Sequence, residues 1–261
     1  MKAKKSFGQN WLSDSYTLDK IVESAELSQK DTVLEVGPGT GNLTEKILNT
    51  GAKLIAVEAD SDLLNGLKLR FANHKNFELI NQDILKFDPS PLPPGYKLVA
   101  NIPYYLTSNL IRKFLESANA PERMVLLLQK EVAQRIAAGP GDMSLLAFSV
   151  QYYARPQYIM DVKKELFDPI PKVDSALIRM IHNASPLFKA DTKKLFRLVK
   201  AGFGEKRKTL RNSLSGGLQL DTKTTANILH DCGIEPNKRA QELSMGDWQK
   251  LYEYMSREMV L

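Results

Sequence analysis

The sequence predicts an α/β fold with a mostly parallel sheet, followed by a smaller all-helical region. Short apolar runs alternate with amphipathic stretches through about the first 180 residues, which is typical of strand–helix–strand units. The runs are nearly continuous in Val, Ile and Leu, as expected for strands that are buried on both faces of a parallel sheet. From about Leu187 onward the apolar spacing is helical.

Strands and helices are predicted in alternation, and a hairpin follows them. The predicted strands are Thr32–Val36, Lys53–Val57, Phe77–Asn81, Lys97–Asn101 and Met124–Leu128. The predicted helices are Tyr16–Glu26, Leu43–Leu48, Ser61–Phe71, Leu110–Ala118 and Lys130–Ala137. Two later runs, Gln157–Val162 and Ala176–Ile181, have no helix of ordinary length between them, so they predict an antiparallel hairpin at the sheet edge.

The helical region predicts a second domain. Asp191 and Asp221 stand where helix N-caps are expected, and Gly233 stands where a helix ends. The alternating strand and helix pattern is replaced by the all-helical pattern near residues 183–186. We therefore expect one domain over residues 1–185 and a helical domain over residues 186–261.

The composition excludes several classes of protein. Cys232 is the single cysteine, which excludes an internal disulfide framework and a cysteine-rich zinc site and favours a reducing, cytoplasmic setting. The three histidines have no metal-ligand spacing, so no metal site is expected. No apolar run approaches the roughly 18 residues of a membrane span, and no secretory signal is found, so no membrane partner is expected.

The positive charge is concentrated in the helical region. The net charge is +6, and residues 189–212 hold nine Lys or Arg against two Asp or Glu. Lys206, Arg207, Lys208 and Arg211 stand there beside Thr and Asn side chains, which also bond phosphate. This segment predicts a nucleic-acid contact, and a solvated helix face is the alternative.

A glycine-rich turn follows the first predicted strand. In Glu35-Val36-Gly37-Pro38-Gly39 the glycines let the backbone approach a ligand closely, because glycine has no Cβ. Asn42 stands where a dinucleotide-binding turn would have its third glycine. The turn therefore favours S-adenosylmethionine (SAM) over NAD as the cofactor, and a turn without a ligand is the other alternative.

Two acids follow the next two strands. Glu58 stands at a strand end, 21 residues after Gly37, where an acid commonly accepts hydrogen bonds from ribose hydroxyls. Asp83 follows the third strand, and it either bonds the adenine amine of the cofactor or caps a turn. Together with the glycine turn, Glu58 predicts a cofactor that contains adenosine.

Asn101-Ile102-Pro103-Tyr104 follows the fourth strand, at the edge where open α/β sheets bind their ligands. Pro103 holds Ile102 in an extended shape, so a carbonyl beside it can face outward. That carbonyl and the Asn101 oxygen would bond both hydrogens of an adenine amine, and Tyr104 would stack on the flipped base. The segment therefore predicts adenine methylation by positioning. A turn with a buried aromatic is the alternative. Because only the ring is needed, Tyr104→Phe is expected to stay close to wild type.

Several motifs occur in the order that is typical of one family. They are Phe7-Gly8-Gln9-Asn10-Trp11-Leu12, Glu35-Val36-Gly37-Pro38-Gly39, Gln82-Asp83, Asn101-Ile102-Pro103-Tyr104-Tyr105, Leu128-Gln129-Lys130-Glu131 and Phe167-Asp168-Pro169-Ile170-Pro171-Lys172-Val173-Asp174-Ser175-Ala176. Over nearly its whole length, the chain resembles the KsgA-type (RsmA) ribosomal RNA adenine dimethyltransferases.

This resemblance implies a class I SAM-dependent methyltransferase fold, which is Rossmann-like with a seven-stranded, mostly parallel sheet and a small helical C-terminal domain. It implies dimethylation of two adjacent adenines in the 3′-terminal hairpin loop of 16S rRNA. We expect a cytoplasmic monomer whose substrate is this small-subunit rRNA, either free or within a partly assembled 30S particle. With Gly39 of the glycine turn, the implied cofactor residues are Asn10, Leu12, Gly37, Glu58, Asp83 and Asn101. The implied target-base residues are Asn101, Pro103 and Tyr104, with Phe167 as a second stacking ring.

Two other functions remain open from the sequence. An Erm-type enzyme, which dimethylates one adenine of 23S rRNA, has a similar Asn-Leu-Pro-Tyr motif. The sequences of residues 172–176 and 206–211 favour the KsgA type over the Erm type. A non-catalytic nucleic-acid-binding or assembly factor could use the same fold. The intact Asn101 and Tyr104 favour an enzyme.

Overall fold

The computed structural model describes residues 4, 8–258 and 260, so Phe7 of the first motif lies outside the described residues. The chain divides into two compact units. The first comprises Met1–Gln134 with Ala154–Asn183, and the second comprises Arg135–Tyr153 with Ala184–Leu261. Each unit has an apolar cluster of its own. Among the described residues, no helix has the length and apolar character that crossing a membrane requires.

The first unit contains all the strands. In chain order they are β1 Trp11–Leu12, β2 Thr32–Val36, β3 Lys53–Glu58, β4 Phe77–Asn81, β5 Lys97–Asn101, β6 Arg123–Gln129, β7 Ala154–Val162, β8 Phe167–Asp168 and β9 Ser175–His182. The helices around them are α1 Ser15–Ala25, α2 Asn42–Leu48, α3 Ser61–Arg70, α4 Thr107–Leu115 and α5 Lys130–Ala137, the last of which continues into the second unit.

The main sheet has seven strands in the order β4-β3-β2-β5-β6-β9-β7. Strands β2 to β6 pair in parallel, and β9 pairs antiparallel with both β6 and β7. The short strands β1 and β8 form a separate antiparallel pair. The predicted α/β class, the seven-stranded sheet and the edge hairpin are confirmed.

The centre of the sheet is the most deeply buried part of the first unit. Six consecutive residues of β6, from Arg123 to Leu128, are buried, so both faces of this strand are covered, and it has a strand on each side. Helix α1 covers one face with Leu18, Ile21 and Ala25, which are the apolar positions that predicted it. The sheet is therefore a rigid support for the loops at its edges.

The second unit consists of helices. They are α6 Leu145–Tyr153, α7 Thr192–Phe203, α8 Leu210–Leu218, α9 Thr222–Asp231 and α10 Met245–Arg257. The two predicted N-caps are present: the Asp191 carboxylate accepts the amide of Lys193 at 2.9 Å, and that of Asp221 accepts the amide of Thr224 at 2.8 Å. The cluster inside the unit is centred on the buried ring of Trp248.

The second unit also takes in residues 135–153, which a boundary at residue 185 assigns to the first domain. The reason lies in α6, a helix that the sequence pattern did not predict. Its Phe148 and Tyr152 are fully buried in the cluster of the second unit, and the Phe148 ring lies 6.0 Å from that of Trp248. The chain therefore leaves the first unit, contributes one helix to the second, and returns as β7.

Candidate active site

A cavity of about 390 Å³ lies in the first unit, at the carboxyl ends of the parallel strands. Its volume is within the range of pockets that hold small molecules and cofactors. The structure brings all ten of the predicted cofactor and target-base residues to its wall: Asn10, Leu12, Gly37, Gly39, Glu58, Asp83, Asn101, Pro103, Tyr104 and Phe167. Among the described residues, no cluster of His, Cys, Asp or Glu could hold a metal ion.

The glycine turn after β2 forms one side of the cavity. Gly37 has a φ of +66°, and its amide donates to the Val57 carbonyl at 2.9 Å. A Cβ on Gly37 would meet no described atom within 4 Å, whereas one on Gly39 would lie 3.2 Å from the Trp11 ring. The backbone at Gly37 therefore leaves open space where a side chain would stand, which suits a ligand that lies against the main chain.

Glu58 ends β3 with its carboxylate held in one orientation. Its two oxygens accept the backbone amides of Gly39 at 3.2 Å and Asp60 at 2.8 Å. The residue is only 6% exposed, and burial raises the pKa of its carboxyl above the usual value. A carboxylate fixed in this way beside the glycine turn is placed to accept hydrogen bonds from a ribose.

Glu35 is a second buried acid at the cavity, and its role is not predicted from the sequence. One oxygen accepts the Thr44 hydroxyl at 2.7 Å, while Oε1 has no partner among the described residues. Burial, with a smaller contribution from the Glu58 charge, raises the pKa of Glu35 to about 8. The signal that could have found it is its place as the acid of the Glu-x-Gly-x-Gly turn.

Another buried polar atom belongs to the cavity wall. The Nε1 atom of Trp11 has no hydrogen-bond partner among the described residues, and the same holds for Glu35 Oε1. Buried polar groups in folded proteins are nearly always paired, so two such atoms on one cavity indicate a polar ligand. With the open space at Gly37, they show that these residues fit a cofactor such as SAM.

Asp83 caps a turn, which is one of the two roles that the sequence predicts for it. Its Oδ1 accepts the backbone amide of Leu85 at 2.9 Å. The side chain is exposed and also lines the cavity, so it still has acceptor capacity for an amine. The hydrogen bond from Asp83 to the cofactor adenine stays a prediction.

The N-terminal segment, residues 8–12, borders the cavity and is fastened by two asparagines. The Asn10 carbonyl accepts the amide nitrogen of Asn101 at 3.1 Å, and the Leu12 carbonyl accepts that of Asn42 at 3.0 Å. Asn10 and Leu12 therefore take part in these two hydrogen bonds through their backbone oxygens. Because the Asn101 nitrogen is engaged in this way, its side-chain oxygen is left as the acceptor at the cavity.

The residues that follow Asn101, the last residue of β5, are held to the sheet. The amide of Ile102 donates to the Leu127 carbonyl of β6 at 3.1 Å, and Pro103 has φ −55° and ψ 128°. Tyr104 then begins a single 3-10 turn that ends at Leu106, just before α4. Burial raises the pKa of the Tyr104 hydroxyl, so the side chain stays neutral near pH 7.

Phe167 lies on the cavity wall but is largely enclosed. It is 4% exposed, pairs with Leu12 between β8 and β1, and belongs to the apolar cluster of the first unit. Little of its ring is open to a second molecule in this conformation. Its role as a second stacking ring stays a prediction.

The four predicted RNA-contacting cations lie in the second unit and do not line the cavity. Lys206 and Arg207 are exposed on the loop between α7 and α8, and within the described part of the chain neither makes an ion pair. Lys208 pairs with Glu205 at 2.7 Å, and Arg211 donates to the Asn212 side chain at 3.3 Å. Lys206, Arg207 and Lys208 are thus exposed and Arg211 is half-buried, and Lys208 is the only one of the four with a carboxylate partner among the described residues.

Comparison with known proteins gives a consistent result. A family model described as ribosomal RNA adenine dimethylase matches residues 1–257. The chain is 43% identical over 255 residues to ribosomal RNA small subunit methyltransferase A of Dehalococcoides mccartyi, a match that covers 96% of this chain and 88% of that protein. It is 39% identical over 268 residues to the protein of the same name in Alkaliphilus oremlandii, which covers 99% and 93% respectively.

Two solved structures share the fold over most of the chain. A dimethyladenosine transferase from Plasmodium falciparum has a TM-score of 0.84 and 28% identity, and the match covers 95% of this chain and 98% of that one. The 23S rRNA methyltransferase ErmE has a TM-score of 0.78 and 27% identity, with 95% and 100% covered. The likeness extends over both units.

Glu58→Ala is expected to weaken SAM binding by about 1.5–3 kcal/mol, the range for a hydrogen bond to a charged group. Isothermal titration calorimetry on the apoprotein measures this change. Glu78→Ala is the matched control, because Glu78 is an exposed acid on the neighbouring strand β4 and does not line the cavity. Wild-type SAM affinity in a folded Glu58→Ala protein would show that the carboxylate does not hold the cofactor.

Glu35→Gln is expected to stabilise the ligand-free protein progressively as the pH rises. Folded Glu35 keeps its proton up to about pH 8, whereas the usual pKa of such a carboxyl is 4.5. The folded state therefore binds more protons in this window, and wild-type stability falls as the pH rises through it. Thermal unfolding between pH 5 and pH 8 checks this, and a gap between variant and wild type that does not widen would contradict it.

Proposed function

This chain belongs to the ribosomal RNA adenine dimethylase family and is a SAM-dependent rRNA adenine methyltransferase. From that premise we propose that it dimethylates two adjacent adenines in the 3′-terminal hairpin loop of 16S rRNA. The observation that carries the proposal is the meeting of Asn101, Pro103 and Tyr104 with the glycine turn in one cavity. The relatives named ribosomal RNA small subunit methyltransferase A support the small subunit as the substrate.

The cofactor side of the cavity is formed by the glycine turn and the acid at the end of β3. Gly37 and Gly39 provide a main-chain surface for the cofactor. The Glu58 carboxylate accepts hydrogen bonds from the hydroxyl groups of the cofactor ribose. Bound SAM supplies a methyl group on a positively charged sulfur. Residues 8–12, fastened through Asn101 and Asn42, keep water from that side of the cavity.

The target-base side is formed by the loop after β5. The amine of adenine is a weak nucleophile, because its lone pair is delocalised into the ring. The Asn101 side-chain oxygen and a carbonyl of the Ile102–Pro103 backbone accept the two amine hydrogens and favour a tetrahedral nitrogen. Tyr104 stacks on the base and sets its plane. Positioning of this kind accelerates the reaction by alignment, without a metal ion or a strong base.

The Erm-type alternative receives less support. ErmE shares the fold with 27% identity, whereas the small-subunit relatives reach 43% over nearly the full chain. The two functions differ in the RNA that is methylated. Labelled SAM with isolated ribosomal particles, followed by primer extension, tests them directly. Stops at two adjacent adenines near the 3′ end of 16S rRNA support the proposal, and label confined to 23S rRNA would overturn it.

The cellular setting is part of the same proposal. A substrate of assembling 30S particles fits a protein that works in the cytoplasm, and the single Cys232 suits a reducing compartment. We place the protein there as a monomer. A comparison of free 16S rRNA, assembling particles and mature 30S subunits as methyl acceptors identifies the form that it uses.

Asn101→Ala is expected to lower the rate of methyl transfer by roughly 100- to 1000-fold, or about 3–4 kcal/mol, while RNA affinity changes little. The side-chain oxygen acts mainly in the transition state, so its loss appears in turnover. Single-turnover transfer of labelled methyl to small-subunit particles measures this rate at saturating SAM. Transfer near the wild-type rate would show that the proposed orientation of the amine is wrong.

Alanine at Lys206, Arg207, Lys208 and Arg211 together is expected to weaken RNA binding and to flatten its salt dependence. Each lost phosphate contact removes about 0.7 from the slope of log affinity against log salt for single-stranded RNA. SAM affinity should not change. Filter binding at several salt concentrations gives the slope.

The matched control removes the same charge elsewhere in the second unit. Alanine at the exposed residues Lys223, Lys238, Lys250 and Arg257, which lie outside residues 189–212, changes the net charge equally but leaves the loop between α7 and α8 intact. Equal slopes for the two quadruple variants would show that only total charge matters and that this loop makes no specific phosphate contacts.

A further inference from the structure

The hydroxyl group of Tyr104 forms a hydrogen bond with a serine hydroxyl of β9, the strand that lies beyond β6 in the sheet. The Tyr104 Oη lies 3.0 Å from the Oγ of Ser175, a residue 71 positions later in the chain. Ser175 is 1% exposed, and Tyr104 is half-buried at the cavity. From the sequence alone, Tyr104 is expected only to stack on the base, and no role is predicted for Ser175.

Ser175 is a firm anchor because of its place in the sheet. It is the first residue of β9, where it pairs with Gln129 of β6 on one side and Val162 of β7 on the other. A residue paired on both sides and buried has little freedom to move. Its hydroxyl therefore presents a fixed point to the ring of Tyr104.

The other bonds around Tyr104 hold only its backbone. The Thr107 hydroxyl donates to the Tyr104 carbonyl at 3.1 Å, and the Leu106 amide donates to the Pro103 carbonyl at 3.0 Å. These bonds set the 3-10 turn but leave the side-chain torsions free. Within the described residues, the bond to Ser175 is the hydrogen bond that fixes the ring itself.

We propose that Ser175 is a positioning residue for methyl transfer, which holds the ring of Tyr104 at the angle that a stacked adenine needs. The inference rests on the proposed function, because it concerns the same base. The plane of the ring sets the plane of the base, and that plane decides whether the amine lone pair points at the methyl donor. A tyrosine hydroxyl is protonated near pH 7, and burial raises the pKa of the Tyr104 hydroxyl further, so the pair is a neutral hydrogen bond there.

The second methyl transfer to each adenine is the more sensitive step. After the first transfer the nitrogen carries a methyl group and has one hydrogen left for the two acceptors. The base is then held less by hydrogen bonds and more by stacking, so the angle of the ring matters more. Loss of the Ser175 anchor should therefore cause monomethyladenosine to accumulate.

The test compares Ser175→Ala, Tyr104→Phe and the double variant in single-turnover methylation of small-subunit particles. Mass spectrometry of the digested rRNA gives separate rates for the first and second transfers. Each single variant should slow the second transfer by roughly three- to tenfold, the range for one neutral hydrogen bond. The double variant should be no slower than the slower single variant, because both changes remove the same bond. This differs from the expectation from sequence alone that Tyr104→Phe resembles wild type.

A matched control separates positioning from stability. Ser215 is also a buried serine, and its hydroxyl bonds the Thr225 hydroxyl at 2.9 Å in the second unit. Ser215→Ala should lower the thermal midpoint without changing the ratio of mono- to dimethyladenosine. If Ser175→Ala unfolds, Tyr104→Phe removes the same hydrogen bond from the cavity side, and its ratio of mono- to dimethyladenosine tests the same inference.

The outcomes are distinct. Wild-type ratios and rates in Ser175→Ala or Tyr104→Phe, or losses that multiply in the double variant, would overturn the inference while leaving the proposed function intact. A wild-type protein that does not methylate small-subunit particles would overturn both.

Discussion

The parallel pairing of β2 to β5 is the constraint on which the candidate site depends. Parallel strands end at the same edge of a sheet, so the residues that follow each strand become neighbours. The register places Val36 beside Val57 and Glu58 beside Asn81, and it also aligns Val36 with Ala100. The glycine turn, Glu58 and the segment that begins at Asn101 therefore meet in one cavity, although they are distant in sequence.

The wall of the cavity contains two buried carboxyl groups, those of Glu35 and Glu58. The Glu58 carboxylate accepts two backbone amides, whereas within the described part of the chain Glu35 has one hydroxyl partner and one unpaired oxygen. An acid buried in this way costs stability, and groups with strongly shifted pKa values are concentrated at functional sites. A polar, positively charged ligand beside Glu35 would relieve that cost, which agrees with the cofactor of this family.

The two units carry different kinds of chemistry. The first places neutral and acidic groups at a deep cavity, and positioning there depends on rigid strands. The second has its own aromatic core around Trp248 and carries exposed cations on a loop between helices. Phosphate contact needs charge and access more than fixed geometry, so a loop serves it well. The hydrogen bond from Tyr104 to Ser175 extends the first requirement to the side chain that we propose stacks on the base.

The sequence by itself determined the alternation of strands and helices, the strand-end positions of the site residues, and the family. These are local properties, because the spacing of apolar residues reports which face of an element is buried. Only the tertiary structure decided that α6 belongs to the second unit, that Glu35 is buried with an oxygen unpaired among the described residues, and that the Asn10 carbonyl accepts the Asn101 side-chain amide. It alone joined Tyr104 to Ser175. Each of these depends on atoms from elements that pairing and packing bring together, and no periodicity in the chain records such contacts.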